Sequence, residues 1–419
     1  ENRYPDKAFS SYLPFWTGMC NYKLNAFSAA IEQFGKFTES TRDTQLREQA
    51  LYYTIFSHME QEHFGKAADV IQESVQEYAD SSFLNKAIDT FCSRLLARQQ
   101  YSQLIDFITS LDTQQFTDET QQNILLYHAE ALRENEQYEQ AKQLYRQLLS
   151  AKASVSAVAY HRLYFFAQQA EDRKTMDNIL LEVERKFAGN QSILNDFWLK
   201  AGLESFERNE LVLAEYFLTR VWENRFDAPL PKEGPITLAE IYIKTDRIRQ
   251  GLDLLLDFVE MSGVDAAAAH LKIGNILLSQ NEYTRAIEHF TTVREITKND
   301  SLLQTAGYHL AYCQSMLADF RNALQTIDPL LETYKTGNLV RKMRDLRIHI
   351  LWNLGNLEEA EDAVRDYIDS YPDTVQRWID LEKLLASQKK YSALLETGDT
   401  ISVMFPELKN NPPSATIKL

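Results

Sequence analysis

Glycine is scarce, 13 residues in 419, and strand-type alternation of apolar and polar residues is hard to find. Both argue against a β-rich chain and for an almost all-helical one. The three cysteines, Cys20, Cys92 and Cys313, stand far apart with no Cys-x-x-Cys pair, so neither a disulfide framework nor a cysteine-based zinc site is indicated. All three fall inside expected helices and read as small buried residues. No apolar run approaches the ~18 to 20 residues needed to span a bilayer. The phosphate-cradling loops Gly-x-Gly-x-x-Gly and Gly-x4-Gly-Lys-Ser/Thr are missing, as is the nucleophile elbow Gly-x-Ser-x-Gly. Positive charge is also short: 44 Lys and Arg against 60 Asp and Glu leave a net charge of −16. That speaks against a nucleic-acid partner, because neutralising phosphates takes clustered Lys and Arg. The one basic run, Arg341-Lys342 with Arg344 and Arg347, reads as a solvated helix face.

What is present is a repeat. The stretch Leu271 to Val293, LKIGNILLSQNEYTRAIEHFTTV, places Ile273, Gly274 and Leu277 on one helical face, breaks at Asn281-Glu282, and restarts with Tyr283, Ala286, Phe290 and Val293. The small residue opening the second helix serves as an anchor for alignment. Ala30, Ala67, Leu104 and Ala141 stand at three intervals of 37, and Asp177 or Met176, Ala214, Gly251, Ala286, Ala323, Ala360 and Leu394 continue the series. Three residues before the anchor a large residue recurs, as in Phe27, Phe64, Tyr101, Tyr283 and Phe320. Four and seven residues after it come apolar pairs such as Phe34 and Phe37, Tyr145 and Leu148, Phe290 and Val293. Twelve before it small residues recur, including Gly18, Ala129, Gly274 and Ala311, where a bulky side chain would separate paired helices.

The arrangement Gly-x2-Leu-x5-Tyr-x2-Ala-x3-Phe-x2-Val resembles the tetratricopeptide repeat, a helical hairpin whose neighbours stack because none can bury its own apolar face. The resemblance implies an all-α fold, a right-handed α-α superhelical solenoid of about eleven hairpins. The expected organisation is repeats 1 to 6 over residues 1–227, a Pro-rich inter-repeat loop or hinge over 228–235, repeats 7 to 11 over 236–405, and an extended tail over 406–419. Between rigid loop and hinge, the loop is the expectation. Repeat 5 lacks both the aromatic and the small anchor, so its register stays open, and Pro329 should kink the second helix of repeat 9 or shift its start.

No catalytic constellation stands out. His58 and His63 are five apart, off the i, i+4 spacing of a His-Glu-x-x-His metal site, and read as exposed polar residues. The remaining histidines are scattered. The acidic run Glu358-Glu359 with Glu361-Asp362 lacks calcium-loop spacing and suits a helix start. The expectation is a chain that is not an enzyme and needs no cofactor or metal.

In the resembled family the first helices line the concave surface, which puts residues about 18, 15, 11 and 8 before each anchor there. In repeats 1 and 2 these are Phe15, Met19 and Tyr22, then Tyr52, Phe56 and Met59, an aromatic and methionine patch suited to apolar partner residues. In repeats 8 to 10 they are Leu271 and Asn275, Tyr308 and Tyr312, then His349 and Trp352, a more polar patch. The alternative for both is packing within the chain. Chaperone-binding members hold a C-terminal carboxylate with a clamp of Lys, Asn and Arg. Asp89, Ser93, Glu130 and Glu240 occupy the corresponding slots, so such a clamp is not expected.

The resemblance therefore implies a scaffold or adaptor that binds a protein or peptide through its concave face. The alternative is a permanent structural subunit of a larger, membrane-associated or soluble assembly. The chain opens at Glu1 without methionine, which is compatible with a removed export signal or lipid anchor. An exported bacterial location, periplasmic with or without a lipid anchor, is favoured slightly over a cytoplasmic one.

Overall fold

The computed structural model describes residues 7–262 and 266–406, and every regular element among them is helical. The chain forms two compact units, residues 1–204 with 223–229, and residues 205–222 with 230–419. The helices of the first are α1 (Lys7–Lys23), α2 (Phe27–Ser40), α3 (Thr44–Glu60), α4 (Phe64–Tyr78), α5 (Ser82–Ala97), α6 (Tyr101–Ser110), α7 (Asp118–Glu134), α8 (Tyr138–Gln147), α9 (Ala153–Gln169), α10 (Arg173–Lys186) and most of α11 (Gln191–Glu207). Those of the second are α12 (Leu211–Glu223), α13 (Glu233–Lys244), α14 (Ile248–Ser262), α15 (Ala267–Ser279), α16 (Tyr283–Ile296), α17 (Asp300–Met316), α18 (Phe320–Thr333), α19 (Asn338–Leu354), α20 (Leu357–Ser370), α21 (Val375–Ser387) and α22 (Tyr391–Met404). Odd-numbered helices open hairpins and even-numbered ones close them, so the fold is an all-α solenoid of eleven hairpins. No helix among the described residues is long and apolar enough to cross a membrane.

One backbone device makes every hairpin turn. Five residues before each anchor the chain enters the left-handed region: Asn25, Glu62, Gln99, Glu136, Glu171, Asn209, Asp246, Asn281, Ala318 and Lys389 all have φ near 60°, and Gly355 has φ 78°. The residue that follows donates its N–H back across the turn, as from His63 to the His58 carbonyl at 2.9 Å and from Asn356 to the Leu351 carbonyl at 3.1 Å. This is the six-to-one bond that closes a helix end and satisfies otherwise unpaired carbonyls. The device also settles repeat 5. Its left-handed residue is Glu171 and its second helix starts at Arg173, so the anchor is Met176, half-buried, while Asp177 is exposed.

The packing follows the recurring positions. Ala30, Ala67, Leu104, Ala141 and Ala286 are fully buried, with Phe34, Phe37, Phe290 and Val293 beside them. A Cβ built on Gly18 would lie 2.7 Å from the Phe34 ring, and one on Gly274 would lie 2.5 Å from the Phe290 ring. Glycine at these two positions is what lets the paired helices close.

Several expectations need correction. Residues 228–235 do not form one loop, because α13 begins at Glu233 and takes in the buried Gly234 and Pro235. Of the two outcomes expected from Pro329 the shifted start is excluded, since α18 begins at Phe320 in the regular position with Pro329 inside it. Cys92 and Cys313 are buried, whereas Cys20 is exposed on the outer side of α1. His58 is buried rather than exposed. The basic run is not a free solvated face: Arg341 reaches the Tyr367 hydroxyl at 2.8 Å, Arg344 the Ser370 hydroxyl at 2.7 Å and Arg347 the Asp328 carboxylate at 2.7 Å. Past Pro406, the expected tail lies outside the described residues.

Within each unit successive first helices pack on one another, α1 on α3, α3 on α5 and α5 on α7 in the first, α15 on α17 and α17 on α19 in the second. Successive second helices show no comparable approach among the described residues. A stack that is tight along one edge and open along the other curves toward the tight edge. The first helices therefore line the inner side of each unit.

Candidate protein-binding face

The inner side is built from columns of residues at fixed distances from the anchors, and the columns differ in access. Eleven residues before the anchor, Met19, Phe56 and Tyr312 are half-buried, and Asn275, His349 and Lys383 are exposed. The columns fifteen and eight before the anchor flank the small position at minus twelve by three and four residues. They border its stripe, and how far each side chain turns toward the hairpin's own second helix differs between repeats: Tyr22, Tyr52, Leu271, Tyr308 and Trp352 stay half-buried, while Phe15 and Met59 turn fully inward. This overturns two expected contact residues. Phe15, 1% exposed, packs against Phe34 and Phe37 with ring centroids 6.1 and 5.3 Å away, and Met59, also 1% exposed, lies in the core with Ile55 and Phe64.

The other N-terminal residues remain partly accessible but not as a bare apolar patch. Tyr22 packs on Tyr53 at 5.0 Å, and burial raises its hydroxyl pKa. Tyr52 packs tilted against Phe56 at 4.5 Å and edge-on against Phe83 of the next first helix at 5.8 Å. Lys86 lies 5.9 Å above the Tyr52 ring and Arg94 5.8 Å above Phe56, within the range of cation–π attraction. Arg94 is itself held by Glu60 at 2.6 Å. The aromatic surface carries a cationic cover from the following hairpin.

The acidic positions on this side are occupied. Glu130 accepts from Arg162 Nε at 2.8 Å, from Arg133 at 3.0 Å and from the buried Tyr145 hydroxyl at 2.8 Å. Burial pushes its carboxyl up, but the guanidinium groups and the hydroxyl outweigh that and hold it below the usual range. Glu240 is held by Lys272 at 2.8 Å, Asp89 accepts from the Tyr127 hydroxyl at 2.8 Å, and Asp345 lies 3.1 Å from Arg377 Nε. The ties to Arg162, Lys272, Tyr127 and Arg377 each join the first helices of neighbouring hairpins, whereas Arg133 lies on the same helix as Glu130 and Tyr145 on the second helix of its hairpin. Carboxylates at the clamp slots thus serve as rungs between repeats.

At the C-terminal hairpins the inner side opens into a groove of about 410 Å³ between α19 and α21. His349, Trp352, Asn353, Gln376, Asp380 and Lys383 line it, together with the Asp345–Arg377 pair. His349 is exposed, and Trp352 is half-buried against the cluster of Ile348 and Leu351. Of the remaining expected residues, Leu271 and Tyr308 are half-buried outside the groove, and Tyr312 packs against Met343 and Ile350. The α21 residues escaped the sequence reading, although Gln376 and Lys383 stand 18 and 11 before Leu394, where the family rule places contacts.

Among the described residues no group of three or more His, Cys, Asp or Glu gathers as metal ligands. His270 and His289 come close, with Nδ1 atoms 2.9 Å apart and ring centroids 5.2 Å apart. At that distance one ring nitrogen donates to the other, the tautomers deciding which.

Family models described as tetratricopeptide repeat match residues 236–301 and 124–151. This chain carries tetratricopeptide repeats. The matched segments lie in different units, and the unmatched hairpins share the left-handed turn. No curated protein matches the chain. Among solved structures, a tetratricopeptide repeat protein from Parabacteroides merdae is 15% identical over 50% of this chain and 80% of its own, with a TM-score of 0.39. YrrB, described as a tetratricopeptide protein with an unusual peptide-binding site, is 17% identical over 41% of this chain and 86% of its own, TM-score 0.36. MamA from Desulfovibrio magneticus is 13% identical over 43% of this chain and 97% of its own, TM-score 0.37.

Proposed function

We propose that the chain is a non-enzymatic scaffold that binds a protein or peptide on the inner side of its tetratricopeptide hairpins, with the groove between α19 and α21 as the principal seat. The observation that carries this reading is the groove itself. It sets an exposed imidazole, His349, and a half-buried indole, Trp352, beside Asn353, Gln376 and the Arg377–Asp380 ion pair. A half-buried tryptophan in a concavity is the kind of anchor on which a few side chains dominate binding energy. The bound carboxylates Glu130 and Glu240 support the further reading that a chaperone-type carboxylate clamp is not the mode used, and the net charge of −16 supports a protein rather than nucleic-acid partner.

The test is selection of peptides from a random library against the whole chain, followed by calorimetry on the best binder. Trp352→Ala should weaken binding by at least about thirtyfold, equivalent to ~2 kcal/mol at a central anchor. Val212→Ala, on an exposed second-helix position, should leave it unchanged. Equal affinity of the Trp352→Ala variant for every selected peptide would sink the proposal.

A further inference from the structure

Each interior first helix is covered on one side by the second helix of the preceding hairpin, and two columns face that way. Seventeen residues before the anchor stand Ala50, Ile124 and Met343, and ten before it Ala131 and Ile350, all buried. Ala50 shares a core cluster with Phe37 of α2, Ile124 with Ile108 of α6, and Met343 and Ile350 with Ile327 of α18. In α1 the same columns hold Leu13, 56% exposed, and the exposed Cys20, with Trp16 between them 54% exposed. The spacing i, i+3, i+7 makes them one stripe. An exposed helix face in a solenoid is ordinarily polar. The outer face of α1 instead carries the side chains of a packing junction.

The opposite half of that junction is uncovered at α22. One residue after the anchor, Leu324 of α18 packs on the following hairpin's cluster of Ile348 and Leu351. Leu395 occupies the same position in α22 and is 63% exposed, with Val403 and Met404 also exposed. The charges match as well. α1 ends in Lys23 and contains no acidic residue, while α22 contains Glu396 and Asp399 and no basic one, within a chain of net charge −16.

We propose that the outer face of α1 seats on α22 of a second copy, head to tail, so that hairpin-to-hairpin packing continues from one molecule to the next. A heterologous contact of this kind leaves an open end after each addition, so association is progressive rather than stopping at a closed pair unless the ring closes.

Sedimentation velocity of the whole chain, from micromolar to hundreds of micromolar, tests this. The sedimentation coefficient should climb with concentration and fall back in high salt as the Lys-to-carboxylate attraction is screened. Trp16→Glu and Leu395→Glu should each raise the apparent dissociation constant at least about tenfold, with the helical circular dichroism unchanged because both side chains are exposed. Mixing the two variants should restore a one-to-one complex, since each keeps one competent end. A wild-type chain that stays monomeric throughout overturns the proposal. So does association that Trp16→Glu abolishes and Leu395→Glu leaves intact, which would mean that α1 meets something other than α22. A variant mixture that fails to associate overturns it too.

Discussion

Ten of the eleven hairpin turns place a side chain where glycine is the least strained residue, and this is the clearest residue-scale consequence of the fold. The left-handed conformation crowds the Cβ of an ordinary residue against its own carbonyl. Ala318→Gly and Lys389→Gly should therefore raise stability by about 0.5 to 1 kcal/mol each, and Gly355→Ala should lower it by a similar amount. The measurement is the shift in urea midpoint of the helical signal. Unchanged or lowered midpoints in both glycine variants would contradict the turn assignment.

Histidine makes the second residue-scale prediction. Burial lowers the pKa of His161 to about 3, with the nearby Arg162 and Lys200 charges adding to it. Burial likewise lowers His289 to about 4, helped by His270 and Arg285. A histidine that is harder to protonate when folded binds fewer protons than it does unfolded. Its stabilising effect is complete above the unfolded value near 6.5 and declines as pH falls toward the folded one. The thermal midpoint should fall steadily from pH 7 to pH 4, and His289→Phe should flatten that fall without abolishing it. A wild-type midpoint that is flat down to pH 4.5 would exclude the effect.

Between elements, the rungs on the inner side should differ in strength according to their burial. The Glu130 side chain is 12% exposed and serves two arginines and a tyrosine, whereas the Glu60–Arg94 pair is about one-third exposed on both sides. Arg162→Ala leaves a buried carboxylate short of a partner and should cost ~2 kcal/mol, softened because Arg133 and Tyr145 remain. Arg94→Ala should cost less than ~1 kcal/mol, the range of exposed pairs. Hydrogen exchange of the α7 and α9 amides should report the first loss locally. Equal costs for the two substitutions would show that burial does not set the strength of the rungs.

At the same scale, the hairpins were legible in sequence because their signal is packing. A small anchor, a close glycine such as Gly274 and an apolar stripe must recur in any chain that stacks this way. The inner face was legible only in part. Side chains at minus fifteen and minus eight look like a surface patch when counted from the anchor, and only helix geometry shows that Phe15 and Met59 share the stripe of the small residue and turn inward. Cys20 misled for the opposite reason: its column is buried only where a preceding hairpin covers it. The cations over Tyr52 and Phe56 come from residues 34 and 38 positions later, a pairing that intrachain spacing does not announce.

For the whole molecule, the account holds that a partner meets the inner side of the hairpins and not their outer side. Site-specific thiol labelling in a Cys20→Ser background measures this most directly, because the other two cysteines are buried. Single cysteines are placed at Asn275 and His349, both exposed on the inner side, and at Leu181, exposed on a second helix. Labelling rates are compared with and without the tightest selected peptide. The account predicts that His349→Cys reacts at least about tenfold more slowly when peptide is bound, that Asn275→Cys slows only if the ligand extends beyond the groove, and that Leu181→Cys is unaffected. Protection at Leu181→Cys with none at His349→Cys would contradict it.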